Sequence, residues 1–243
     1  MGTSKSYQAP TNPPWANYKK EVTNASRNGA VSTVVAKSVL HDYIQTNGGA
    51  TAIARGGGTI GGSRASQKAG GRVGWFVGSV ANQGLDETLR DVGLDELVGK
   101  SAGEITLALI DKLSEDGSTL DQVDARNAMS DLFTDLLAEA ETYAQVTEKL
   151  EEKLQLASID NILIRFFGFY LYQQFCRLFY ERLVARHGEE KTDQFLDSIR
   201  DFIISELKFE TFGKNITNVD WLGDEGKSMT DEILERTLNV FGE

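Results

Sequence analysis

Residues 159–184 form an apolar run interrupted by five charges, Asp160, Arg165, Arg177, Glu181 and Arg182, and this segment limits what the chain can fold into. Its charge-free stretch from Phe166 to Cys176 has 11 residues, against roughly 20 needed to cross hydrocarbon. A membrane span is therefore not expected. Because apolar residues fall on every face, the segment reads as a central helix buried on all sides, and other helices must surround it. That selects an all-α, multi-helix bundle around Ile159–Val184.

The remaining periodicities supply the surrounding helices. Val31, Val34, Val35, Val39, Leu40 and Tyr43 recur at helical spacing over Ala30–Gln45, and Asn47-Gly48-Gly49 supplies a stop. Ser101 and Glu104 form a capping box ahead of Ile105–Leu113, and Thr119 closes a turn before a helix from Leu120 to about Ala140. Thr142–Leu154, Ile159–His187, Glu190–Phe209 and Met229–Phe241 complete the set. No Asn-Gly hairpin between alternating Val/Ile/Thr strands interrupts them.

Two segments depart from this pattern. Residues 1–27 hold all three prolines, Pro10, Pro13 and Pro14, among Ser, Thr and Asn, and predict a flexible, extended N-terminal tail. Trp15 and Tyr18 are expected to dock it on the body. Residues 28–100 form a Gly-rich basic helical segment, and 101–243 an acidic helical bundle. Fifteen of the 24 glycines lie between Gly48 and Gly103, a density that favours loops and short helices over long ones. Within it Ser66, Gly70, Gly74, Gly78 and Asn82 fall four residues apart, so a helix capped near Ser63 presents a stripe of small residues to a closely packed neighbour. Arg64, Lys68 and Arg72 argue against reading that stripe as a membrane dimerisation face.

Charge divides the chain the same way. Residues 1–83 carry nine bases and two acids, whereas 84–243 carry 16 bases and 34 acids. The acidic body is expected to repel nucleic acid. The basic third is left to meet an acidic surface, on this chain or another. Cys176 stands alone, which excludes an internal disulfide framework and suits a reducing compartment. With only His41 and His187 besides, zinc sites of four cysteines, two cysteines with two histidines, or three histidines are excluded. No secretory signal is expected, since a polar Pro-containing segment precedes the first apolar stretch near Val31. A cytoplasmic location follows as an expectation.

Catalytic signatures are weak. Gly56-Gly57-Gly58-Thr59-Ile60-Gly61 formally matches G-x-G-x-x-G, but the buried strand before it and the parallel-sheet pattern after it are missing, so it reads as a flexible loop. Pairs such as Asp121/Asp124 and Glu151/Glu152 are expected on solvated helix faces. His41, His187 and Cys176 read as structural residues. No catalytic residue, metal site or cofactor is assigned, and the chain is expected not to be an enzyme.

The N-terminus is chemically more informative. Removal of Met1 leaves Gly2 with a free, unhindered α-amine able to enter a narrow active site. Gly2 to Ser6 also satisfies M-G-x-x-x-[ST], the myristoylation pattern. Simple docking of the tail is a third reading.

The segment MGTSKSY, with residues 85–132, resembles the QatB family of bacterial Qat anti-phage systems. Pro10/Pro13/Pro14-Trp15, Gly61 to Gly78, Leu97-Val98-Gly99, Asp116-Gly117 and Ala125-Arg126 carry the resemblance. It implies a non-enzymatic defence subunit encoded with a QueC-like enzyme, a P-loop ATPase and a TatD-like nuclease. QueC enzymes activate the carboxylate of a deazaguanine precursor with ATP, and an amine other than ammonia would give an amide there. Gly2 is thereby a candidate modification site. Gly2, Thr3, Ser4, Lys5, Ser6 and Tyr7 are the residues expected to thread into the partner, with Tyr7 or Trp15 as apolar anchor. The alternative is an N-terminally lipidated, or simply docked, helical adaptor.

Overall fold

The computed structural model describes residues 10–60, 62–114, 117–156, 159–208, 210–211, 216 and 219–243. Among these the chain forms helices and no strand, as the periodicity requires. The helices are α1 (Pro13–Ala25), α2 (Thr33–Thr46), α3 (Ala50–Ala54), α4 (Arg64–Asp91), α5 (Ala102–Leu113), α6 (Leu120–Leu136), α7 (Tyr143–Leu156), α8 (Ile159–His187), α9 (Glu189–Leu207) and α10 (Asp224–Gly242).

Helix α8 is the central element, enclosed by α4, α6, α9 and α10. Phe166, Phe167, Phe169, Tyr170, Phe175 and Phe179 are all buried along it, each contributing on the order of 1.5–3 kcal/mol by burial. Two of the five charges that break its apolar run, Arg165 and Arg177, point to α6 as ion pairs. Arg177 Nε donates to Asp124 Oδ2 at 2.7 Å, and Arg165 pairs with Asp135. Those residues let an otherwise apolar helix fix its register against α6, because either charge left alone would be costly.

Helix α4 corrects the expectation of short helices in the Gly-rich segment. It runs 28 residues, broken by non-helical geometry at Gly84, where φ is 85°. The stripe is the reason a glycine-poor propensity is overcome: a β carbon on Gly70 would stand 2.8 Å from the Phe167 ring, and one on Gly74 2.6 Å from the Trp221 indole. Close backbone approach to α8 and to the turn before α10 offsets the roughly 1 kcal/mol each helical glycine costs. The stripe thus packs within the chain.

The cap of α4 also differs from expectation. The Ser63 hydroxyl donates to Ala54 C=O at 3.1 Å, while Ala65 N–H donates to Asp121 Oδ2 of α6 at 2.9 Å. Asp121 also accepts from the Tyr170 hydroxyl; Gln174 Nε2 donates to Tyr170 Oη at 2.7 Å, and Tyr43 Oη to Gln174 Oε1 at 3.4 Å. A buried polar chain therefore links α4, α6, α8 and α2. Asp121 and Asp124 are corrected from solvated-face residues to structural ones, Asp124 being only 2% exposed.

The extended reading of the tail is corrected from residue 13 onward. Pro13 and Pro14 occupy the first helical positions, where a missing N–H costs nothing and φ is already set. Asn12 Oδ1 accepts from Trp15 N–H at 3.2 Å and caps the helix. Trp15, Tyr18 and Val22 form its buried face. As expected, the two aromatics dock the segment: Trp15 meets Tyr43 edge-on at 6.2 Å, Tyr18 meets Phe179 at 5.6 Å, and Tyr18 Oη donates to Val39 C=O at 2.8 Å.

Candidate functional site

The proposed tail residues Gly2, Thr3, Ser4, Lys5, Ser6 and Tyr7 lie outside the described residues. The structure describes the point to which they are tethered. Thr11, Asn12, Pro13 and Pro14 are exposed, and the chain enters the core at Trp15, which is 0% exposed. Farther along α1, Arg182 Nε donates to Thr23 Oγ1 at 3.1 Å, and His187 Nε2 donates to Thr23 C=O at 2.8 Å. The anchor is thus rigid on two faces. Trp15 is removed as an anchor for a partner, because its ring is spent on Tyr18 and Tyr43.

The other residues singled out in the sequence fall apart in space. His187 closes the α8 end against α1. Cys176 is partly buried in α8, and burial pushes its thiol up to about 12, with a Tyr172 hydrogen bond pulling the other way. Such a thiol is a poor nucleophile. The glycine loop is organised by Asn47, which is fully buried: Asn47 Oδ1 accepts from Ile60 N–H at 3.0 Å and its C=O from Thr59 N–H at 3.1 Å. Gly58 lies against the Asn47 amide, so the loop closes on a side chain of its own.

A cleft of about 920 Å³ opens where α3 ends and α4 and α10 begin. Arg55 just after α3, Arg64, Lys68 and Arg72 from successive turns of α4, and Lys227 from α10 line it. Against these five cations stand Asp224 and Asp231. Arg72 is held by donation from Nη1 to Leu113 C=O at 3.2 Å. Asp231 Oδ1 is buried with no hydrogen-bond partner, and burial raises its carboxyl above the usual range while Lys227 draws it back. Trp221 and Leu222 supply the apolar wall, Leu222 being 64% exposed at the rim.

The profile described as Qat anti-phage system associated protein QatB matches residues 48–241. The chain belongs to the QatB family. A QatB protein is a component of an anti-phage defence system, and this chain is therefore one. The QatB match contains the whole cleft and the α4 stripe, whereas α1 and the segment MGTSKSY precede it. No curated protein and no solved structure matches the chain.

Sequence reasoning located the basic character of the QatB chain's first third but not the cleft. Trp221, Lys227 and Asp231 lie about 150 residues beyond the α4 cations in sequence and reach them only because α10 packs on α3 and α4. The one available signal was the small-residue stripe, which announced that some bulky group must lie against Gly74.

Proposed function

We propose that the chain is a non-enzymatic subunit of its defence system, whose segment Gly2 to Tyr7 is bound and covalently modified by a QueC-like partner enzyme. The observation that supports this most is the anchoring of α1. The polar segment ahead of it leaves a rigid body at an exposed helix start, with Trp15 wholly buried just behind. A substrate tail needs that combination: a fixed base that docks on the partner and a narrow leader that enters the partner's site. Threading then costs the entropy of a short segment only.

The chemistry balances simply. After loss of Met1, the neutral Gly2 α-amine attacks the activated carbonyl of the deazaguanine carboxylate, the activating group leaves with the bonding pair, and the amine proton passes to solvent or a base of the partner. The product is an amide. P-loop ATPase and TatD-like nuclease subunits complete the proposed assembly.

Intact mass spectrometry of the chain co-expressed with the QueC-like protein tests this reading. Loss of Met1 with a deazapurine-sized adduct on Gly2, abolished by Gly2→Pro or by residues added before Gly2, is the expected result. Loss of Met1 alone overturns modification. A myristoyl-sized adduct would establish the lipidated alternative instead.

A further inference from the structure

Antiparallel helices α5 and α6 leave an apolar recess at one end. Arg126 pairs with Asp111 near the turn between them, and at the other end Ala102 N–H donates to Glu141 C=O at 3.0 Å. The recess measures about 340 Å³ and lies toward that second end, between Ala102 to Ile110 of α5 and Phe133 to Ala140 at the close of α6. Ile110, Phe133 and Leu137 are buried along it. Small residues keep it open: a β carbon on Gly103 meets nothing within 4 Å, and Ala138 is exposed. Leu107 lines it while 60% exposed, so the fold leaves a leucine and an apolar hollow side by side in water.

The charge around the recess selects its occupant. Glu139 is the one charged residue lining it, and neither its carboxylate nor that of Glu141 takes a hydrogen bond or ion pair among the described residues. The flanking acids are engaged: Asp111 with Arg126, Asp135 with Arg165, and Glu104 with the Ser101 N–H and hydroxyl. Lys100 interacts with Glu104, and Lys112, five residues past Leu107, stands about 140° round α5 from it. Glu139 is also placed against local preference. Its φ is 65°, a left-handed conformation that favours glycine, and it follows α6, whose C-terminal end disfavours negative charge. A second copy would bring the same carboxylates, with 34 acids against 16 bases over residues 84–243. Nucleic acid or an anionic lipid surface would be repelled likewise.

We propose that this recess docks a basic amphipathic helix of a partner protein, its apolar stripe set against Leu107 and Ala138 and its lysine or arginine side chains reaching Glu139 and Glu141. A groove between two helices accepts a third, read as apolar anchors at i, i+3 or i+4 and i+7. From Ala102 to Ile110 is about 12 Å at roughly 1.5 Å per residue, the length of about two such turns. The contact is separate from the tail: α5 packs on α4, α6 and α7, whereas α1 packs on α2.

Fluorescence anisotropy of the full chain tests it with labelled peptides of about 14 residues: a Leu/Lys helix with leucines at i, i+3, i+4 and i+7, the same residues scrambled, and a Leu/Glu counterpart. The Leu/Lys helix should bind below about 1 mM and roughly tenfold more tightly than either control. Leu107→Glu and Ala138→Arg, both at exposed positions, should each weaken it by roughly tenfold, with circular dichroism confirming the fold. Glu139→Gln should weaken it several-fold, whereas Glu190→Gln, which removes the same charge from α9, should not. Glu139→Gly should weaken it equally yet raise the urea midpoint, because glycine suits a φ of 65°. Absence of binding, equal binding of a control peptide, indifference to Leu107→Glu, or parity of the two glutamine variants would each overturn the proposal. So would tighter binding on removal of residues 1–9, which would make the tail the occupant, or a dimer in sedimentation abolished by Leu107→Glu, which would make it a second copy.

Discussion

Trp221 lies against the backbone of Gly74, so that a β carbon at residue 74 would meet its ring at 2.6 and 2.7 Å. The indole cannot withdraw. Its own carbonyl oxygen is within 2.8 Å of a β carbon placed on Gly71, and Gly226 of α10 approaches its backbone to 2.3 Å on the same measure. Three glycines on two helices thus clamp one tryptophan and set the distance between α4 and α10, across which the cationic cleft opens.

Gly74→Ala is expected to destabilise the fold by about 1–3 kcal/mol through overpacking, despite the roughly 1 kcal/mol by which alanine favours a helix. Gly103→Ala, in α5 with nothing within 4 Å of its β carbon, serves as the control and should be neutral or slightly stabilising. Urea midpoints of the two variants check this; equal midpoints would remove the clamp from the account.

Asp121 joins two roles, capping α4 through Ala65 N–H and accepting from Tyr170. Asp121→Ala should cost about 2–3 kcal/mol, a cap together with a charge-assisted hydrogen bond. Tyr170→Phe removes only the second. A double-mutant cycle should return a coupling of about 0.5–3 kcal/mol, and strict additivity would show that the polar chain is not a unit.

Asp124 provides a pH signature. Burial raises its carboxyl to about 6, partly opposed by Arg177. The native state therefore holds this proton where the unfolded chain, titrating near its ordinary value of about 3.9, has lost it. This group's contribution to stability is fully present below about pH 4 and declines as pH rises through about 6. Asp124→Asn should flatten that part of the stability profile. Carboxyl NMR should show a midpoint near 6, moved upward in Arg177→Gln, and an unshifted midpoint would contradict the burial seen here.

Cys176 should resist alkylation in the folded chain. With its thiol raised to about 12 by burial, almost none is thiolate near pH 8. Iodoacetamide labelling, followed by mass spectrometry with and without urea, should show a large increase on unfolding; rapid native labelling would refute the assignment.

The sequence by itself determined the helical class, the central place of residues 159–184, the capping box at Ser101 and the cap at Thr119, and the need for a close neighbour along the α4 stripe. Each is a local or periodic property, governed by spacing along one helix. Tertiary structure decided the rest. Pro13 and Pro14 are compatible with either an extended tail or a helix start, and burial of Trp15 against Tyr43 and of Tyr18 against Phe179 selects the helix. Ser63 was the local candidate to cap α4, but Asp121, from a helix 56 residues away, reaches Ala65 N–H first. The cleft is invisible in one dimension for the same reason. Its cations lie just after α3 and on α4 and α10, its unpartnered carboxylate on α10, and only the packing of glycines against Trp221 brings them to a common wall.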